Sequence, residues 1–186
     1  YMRRDMPESV GNYFEFAVFT GMRPSEIIAL TWGDVDFSKG LVRVDKARTL
    51  GTVKPTKTYE KRDVELISRA REALQRQRRL TQLQRQEVFL NPITGEAIIN
   101  SDSPRNFWAT ALRKVGIRHR VAYQARHTFA TLNLMAGANP MWVANQLGHR
   151  TMKMTLETYS RWIEGADHSA ERAKLEARLG QNLGQT

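Results

Sequence analysis

Helix punctuation is the strongest constraint on how this chain can fold. Val10, Tyr13, Phe14, Ala17 and Val18 recur at i, i+3, i+4, i+7 and i+8 behind Ser9, and Gly21 stands where a left-handed glycine ends a helix. Only a helix brings those five side chains onto one face, so the first segment reads as an amphipathic helix with Ser9 as its cap. The same punctuation returns later. Asn139 and Pro140 make an N-cap and first-position pair ahead of MWVANQL, and Gly148 stops that helix. SEIIAL after Pro24 reads as a second helix. Residues 68–86 keep Ala70, Ala73, Leu74 and Leu83 at helical spacings among Arg and Gln, and further helices are expected near 104–115, 122–136, 152–163 and 166–179. LVRVD and RDVEL alternate as two short strands around the polar stretch 46–61, which predicts a small hairpin or three-stranded sheet. The resulting class is mainly α with a small antiparallel β-sheet (α+β).

A chain of 186 residues that is 41% hydrophobic fits one substantial core better than two. Its 29 Lys and Arg against 19 Asp and Glu give a formal charge of +10, so a polyanionic partner, DNA above all, is the leading expectation. No apolar run approaches the ~20 residues of a spanning helix, and YMRRDMPESV lacks the apolar core of a signal peptide. A cytoplasmic protein without membrane partners is the corresponding expectation. The absence of cysteine excludes disulfides, a thiolate nucleophile and a cysteine-ligated metal.

Three polar groups interrupt the apolar pattern. Arg23, in FTGMRPSE, projects from a turn between Gly21 and Pro24, beside a helix start where backbone N–H groups favour anions. On the local pattern alone it reads as a surface turn arginine. In AYQARHTFATLNLMAGA, Ala122, Ala125, Phe129, Leu132 and Ala136 form an expected buried stripe. Tyr123 and Arg126 lie at i, i+3 on its edge, where an arginine is costly unless paired. His127, one position on, points elsewhere and reads as structural. His149 leaves its helix at a point fixed by Gly148. Downstream, Met152, Leu156, Tyr159 and Ile163 form an apolar stripe, so periodicity alone makes Tyr159 a core residue.

The ordered set TGMRPSE, ARHTFA, LGH and a tyrosine ten residues after that histidine resembles the catalytic domain of the tyrosine recombinases, the phage integrase family, over about residues 9–163. The resemblance implies a mainly helical domain with a small sheet. It also implies cutting and rejoining of double-stranded DNA through a covalent 3′-phosphotyrosine, without metal, ATP or other cofactor. Arg23 and Arg126 match the two arginines that clamp the scissile phosphate, His149 matches the histidine that donates a hydrogen bond to it, and Tyr159 matches the nucleophile. Lys57, in TKTYEKRDVEL, matches the lysine that serves as general acid for the leaving 5′ oxygen, with Lys54 and Lys61 as competitors. Tyr123 stands where the family usually has histidine. A phenol with a reference pKa near 10 is a poor proton acceptor at neutral pH, so Tyr123 is read as a positioning residue.

The family pattern further implies a tetramer on paired DNA sites, and DNA-binding domains ahead of the catalytic one. Tyr1 lies only 22 residues before Arg23, so 1–186 reads as an excised single catalytic domain lacking them. The helix at 166–179 and the tail that follows are expected either to dock on their own domain or to pass to a neighbouring protomer. A type IB topoisomerase-like strand-passage enzyme and a non-catalytic DNA-binding module are the alternative readings.

Overall fold

The computed structural model describes residues 6–55, 61–163, 172–173 and 175–177. Helix α1 (Glu8–Thr20) is followed by α2 (Pro24–Ile27), a 3₁₀ turn (Trp32–Asp34), and strands β1 (Val35–Asp36), β2 (Leu41–Val44), β3 (Lys46–Thr49), β4 (Thr52–Pro55) and β5 (Arg62–Glu65). Helices α3 (Ser68–Thr81), α4 (Asp102–Lys114), α5 (Gln124–Met135), α6 (Pro140–Leu147) and α7 (Met152–Ile163) complete the described elements. Among the described residues no helix is long and apolar enough to cross a membrane.

The first helix begins one residue before Ser9, with Pro7 at its N-cap and no side-chain cap, so the expected Ser9 cap is replaced by a serine inside the first turn. It packs against both α3 and α5. Two-sided contact explains why it buries Phe16, Asn12 and Thr20 in addition to the Val10, Tyr13, Phe14 and Ala17 stripe. Asn12 meets Gln77 of α3 at 3.3 Å. Gln77 Nε2 and Thr81 Oγ1 in turn donate to the Val88 carbonyl at 3.0 and 2.8 Å, which ties off α3 at Thr81. The helix therefore stops short of residue 86, and Leu83, expected on its apolar face, is fully exposed.

The sheet is three-stranded in the order β1-β2-β5, antiparallel throughout, with Val42 opposite Val64. Alternation sends Val42, Val44 and Val64 into the main cluster beside Phe14, Phe16, Leu74 and Phe89. Each such side chain contributes about 1.5–3 kcal/mol on burial. A separate hairpin, β3–β4, occupies the first part of the polar stretch between the two foreseen strands. SEIIAL forms only the four-residue α2 before the chain turns.

A second cluster joins Phe129, Ala130 and Leu134 of α5 to Val143 and Leu147 of α6 and Tyr159 of α7. The expected α5 stripe is thus corrected at its C-terminal end: Leu132 is 51% exposed and Ala136 is exposed, while Ala130 and Leu134 face inward. Of the helix expected at 166–179, residues 172–173 and 175–177 are helical; its remaining positions and the tail lie outside the described residues.

Candidate active site

Two glycine-terminated turns meet at Arg126. Gly21 ends α1 at φ 63°, and a Cβ there would come within 2.6 Å of Phe129. Gly148 ends α6 at φ 66°, and a Cβ there would lie 2.8 Å from the Arg62 guanidinium. Both positions thus require glycine for backbone freedom and for space. Arg126, 2% exposed on α5, donates from Nη1 to the Gly21 carbonyl at 2.7 Å and from Nη2 to the Leu147 carbonyl at 2.6 Å. Neutral carbonyls, rather than a carboxylate, satisfy this buried cation. Burial and the nearby charge of Arg23 lower its pKa to about 10, which leaves it protonated at neutral pH.

Arg23 reaches the next residue of the same turn, donating to the Gly148 carbonyl at 3.3 Å. Its position is set by Glu26, 3% exposed, which accepts from Arg23 Nη1 and from the Arg23 backbone N–H, both at 2.9 Å. The anion at the start of α2 is thus Glu26 itself, where the sequence suggested an open anion site. Arg62 of β5 donates to both oxygens of Glu26, at 3.0 and 2.7 Å, and to the Gln146 carbonyl at 3.1 Å. Burial pushes the Glu26 carboxyl up, but the hydrogen bonds and charge of Arg62, followed by those of Arg23, outweigh it and hold the carboxyl below the ordinary range.

His149 follows directly, its Nδ1 2.7 Å from the buried Thr155 hydroxyl. Burial first, then the charges of Arg126, Arg23 and Arg62, depress its pKa to about 4. At neutral pH it is therefore a neutral imidazole with one N–H to donate. Tyr159 is 2% exposed within the second apolar cluster, as periodicity required, and its hydroxyl lies 2.7 Å from Nδ1 of His127. Burial raises the phenol pKa, with Arg126 opposing, so the oxygen is held as a neutral phenol. His127, read as structural from the sequence, is in direct contact with the candidate nucleophile.

Arg23, Arg62 and His149 line a cleft of about 940 Å³ together with Lys54 and Lys61. Tyr123 and Arg126 border a second cleft of about 290 Å³. Tyr123 stands at the N-cap of α5, 43% exposed, with its ring 5.5 Å from and edge-on to His127. Lys57 lies outside the described residues. Among the described residues no group of three or more His, Asp or Glu side chains is placed to hold a metal ion.

The phage integrase family model matches residues 6–163. The chain belongs to that family. Its relatives include the prophage integrase IntR of Escherichia coli K12, 36% identical over 90% of this chain and 46% of the relative. The putative defective protein IntQ of the same organism is 32% identical over 91% of this chain and 49% of its own length. The chain thus spans about half the length of these relatives. Among solved structures, the Tn1549 transposon integrase in complex with circular intermediate DNA superposes with a TM-score of 0.71 at 22% identity, over 89% of this chain and 57% of that one. At that identity the superposition speaks for the integrase fold.

Within this integrase fold, Arg23, Arg126 and His149 converge on the Leu147–Gly148–His149 turn, and Tyr159 joins them through the neighbour of Arg126. Sequence reasoning missed Glu26, Arg62 and His127. The charged pair had a faint signal, an acid three residues after Arg23 and an arginine on the same strand face as the apolar Val64. His127 carried none beyond adjacency to Arg126.

Proposed function

We propose that residues 1–186 form a single catalytic domain that cleaves and rejoins double-stranded DNA through a covalent 3′-phosphotyrosine at Tyr159, as a site-specific recombinase or integrase. The observation that carries this reading is the meeting of two guanidinium groups and a neutral histidine on one turn, beside a buried tyrosine hydroxyl. A phosphodiester resists an oxygen nucleophile until donors are fixed around phosphorus, and losing one preorganised donor typically costs on the order of 100-fold in rate. Arg23 and Arg126 would hold the non-bridging oxygens and His149 would donate one N–H. The Tyr159 oxygen forms the new bond to phosphorus while the bond to the 5′ oxygen breaks. Lys57 is assigned the proton for that leaving oxygen; Lys54 and Lys61 are the lysines lining the cleft that could substitute for it. Transesterification conserves the phosphodiester, so neither ATP nor a metal ion is assigned a role. The +10 charge suits a DNA partner, which the IntR and Tn1549 integrase likenesses support. Assembly as a tetramer on paired sites and residence with the bacterial nucleoid complete the proposal.

The test uses a nicked DNA site whose short 5′ fragment diffuses away after cleavage. With excess EDTA present, the protein should accumulate an adduct that survives denaturing electrophoresis, and peptide mapping should place the DNA on Tyr159. No adduct on the cognate site, or an adduct that needs Mg²⁺, would overturn the mechanism. The same assay weighs Tyr123. Its half-exposed ring and its place at a helix cap suit positioning, so Tyr123→Phe should retain adduct formation within about tenfold, and Tyr123→His should be tolerated or faster. Complete loss in Tyr123→Phe, with folding and DNA binding intact, would assign the phenol an obligatory proton.

A further inference from the structure

Attack on phosphorus requires the Tyr159 phenol to give up its proton, and Tyr123, standing where the family pattern has histidine, is a poor acceptor at neutral pH. The described hydrogen bond of the Tyr159 hydroxyl points to a different group. His127 Nδ1 lies 2.7 Å from it, with the two ring centroids 5.7 Å apart. The histidine is carried by α5, one residue after Arg126, and the tyrosine by α7; the two helices pack on each other. We propose that His127 is a catalytic residue, the general base that takes the Tyr159 proton during cleavage and returns it during rejoining.

The proposal rests on the phosphotyrosine reading above. In cleavage the phenolic proton passes to Nδ1 as the tyrosine oxygen bonds to phosphorus, the bond to the 5′ oxygen breaks, and the separate lysine acid protonates that oxygen. In rejoining, the 5′ hydroxyl attacks phosphorus, loses its proton to that lysine, and the departing phenolate recovers its own from His127. Nothing is oxidised or reduced.

Three features suit the role. Nδ1 accepts only when His127 is neutral, and partial burial and then the Arg126 charge hold its pKa below the usual imidazole value. Arg126 is also the proposed phosphate clamp. A phosphodiester monoanion docked on that guanidinium would offset the charge that weakens the base, so His127 would become more basic when substrate is bound. The groups facing His127 are Arg126 and Tyr123 on its own helix and Tyr159 from α7, with His149 coupled to it through charge. Of these, burial raises the Tyr159 phenol and His149 titrates near pH 4, so the pH dependence of proton acceptance from Tyr159 is assigned to His127.

The decisive variant is His127→Asn, whose Oδ1 approximates the position of Nδ1 and can accept the hydroxyl hydrogen bond but not the proton. Single-turnover adduct formation on nicked DNA should fall by about 100-fold. The decline of the wild-type rate on the acid side of about pH 6.5 should also disappear. Added imidazole should restore part of the rate in His127→Gly. Wild-type rate in His127→Asn, or a slower rate that keeps the wild-type pH dependence, would overturn the proposal and leave His127 a packing residue. If His127→Asn does not fold, the wild-type profile decides: no decline below neutrality overturns the base. An adduct that forms on Tyr159 regardless of His127 would defeat this inference alone, whereas no adduct in the wild type defeats the phosphotyrosine reading and this inference with it.

Discussion

Tyr159→Phe should fold, bind DNA with unchanged affinity, and form no detectable covalent adduct. The ring sits in the cluster of Phe129, Ala130, Leu134, Val143 and Leu147, and phenylalanine keeps every carbon of that packing. What disappears is the hydroxyl and its 2.7 Å contact with His127. Losing one hydrogen bond at a histidine that solvent partly reaches costs about 1 kcal/mol of stability, too little to unfold a domain of this size. Chemistry is affected differently, because the deleted oxygen is the atom that must bond to phosphorus, and no water can form a protein–DNA link in its place. Thermal unfolding, a DNA-binding titration and the EDTA-resistant adduct assay should separate these effects cleanly. An adduct of normal yield in Tyr159→Phe would move the nucleophile to another residue.

Such a separation is available because the tyrosine serves two ends, and only one of them is written in its periodicity. Met152, Leu156, Tyr159 and Ile163 mark an expected helix face, of which Tyr159 is buried and Leu156 half-buried; the stripe is corrected at its start, where Met152 is exposed and the buried Thr155 takes the inward place. Where the hydroxyl points depends on α5, whose approach to α7 is a tertiary fact. A residue after Arg126 in a helix is rotated by roughly 100°, so reading His127 as facing away from the arginine was correct in direction. That side is occupied by Tyr159, which no local pattern could show. The turns were legible for the opposite reason. Gly21 and Gly148 stop their helices with positive φ values, a property of single residues and their neighbours, and so the departure points of Arg23 and His149 could be placed from the sequence.

The partners of Arg126 and Arg62 were not legible, since they lie far away along the chain. Arg126 was recognised as costly unless paired, yet its acceptors are carbonyls 105 and 21 residues away. Backbone acceptors exist at every residue and leave no mark on composition. The β3–β4 hairpin was hidden differently. Its two-residue loop is Leu50-Gly51, with both residues at positive φ. Such loops are usually announced by Asn-Gly or Asp-Gly, and leucine is a poor occupant of the left-handed region.

Glu26→Gln should destabilise the domain by about 3–5 kcal/mol, because it removes one partner from a buried charge cluster. Glu26 is 3% exposed, and its two oxygens hold Arg62 at 3.0 and 2.7 Å and Arg23 through both side chain and backbone. An amide presents N–H groups to at least one of those donors and no charge to either guanidinium. Arg126 already lies close enough for the Arg23 and Arg62 charges to depress its pKa, so an uncompensated pair would add repulsion at the centre of the site. For a domain of this length the melting temperature should fall by on the order of 10 °C. Acid supplies the matching test in the wild type. The Glu26 carboxyl is held below its range in the unfolded chain, so its ionised form favours the folded state. That stability is complete above the unfolded value of about 4.3 and is lost as pH falls through the lower folded value. Wild-type stability should therefore drop more steeply below about pH 4 than that of Glu26→Gln, which has no carboxyl to protonate there. Adduct formation should fall as well, since Arg23 loses the partner that aims it. A Glu26→Gln protein with unchanged melting temperature and the same acid profile would mean that the two arginines find solvent or carbonyl partners at no cost, and that the carboxylate is dispensable to the geometry of the site.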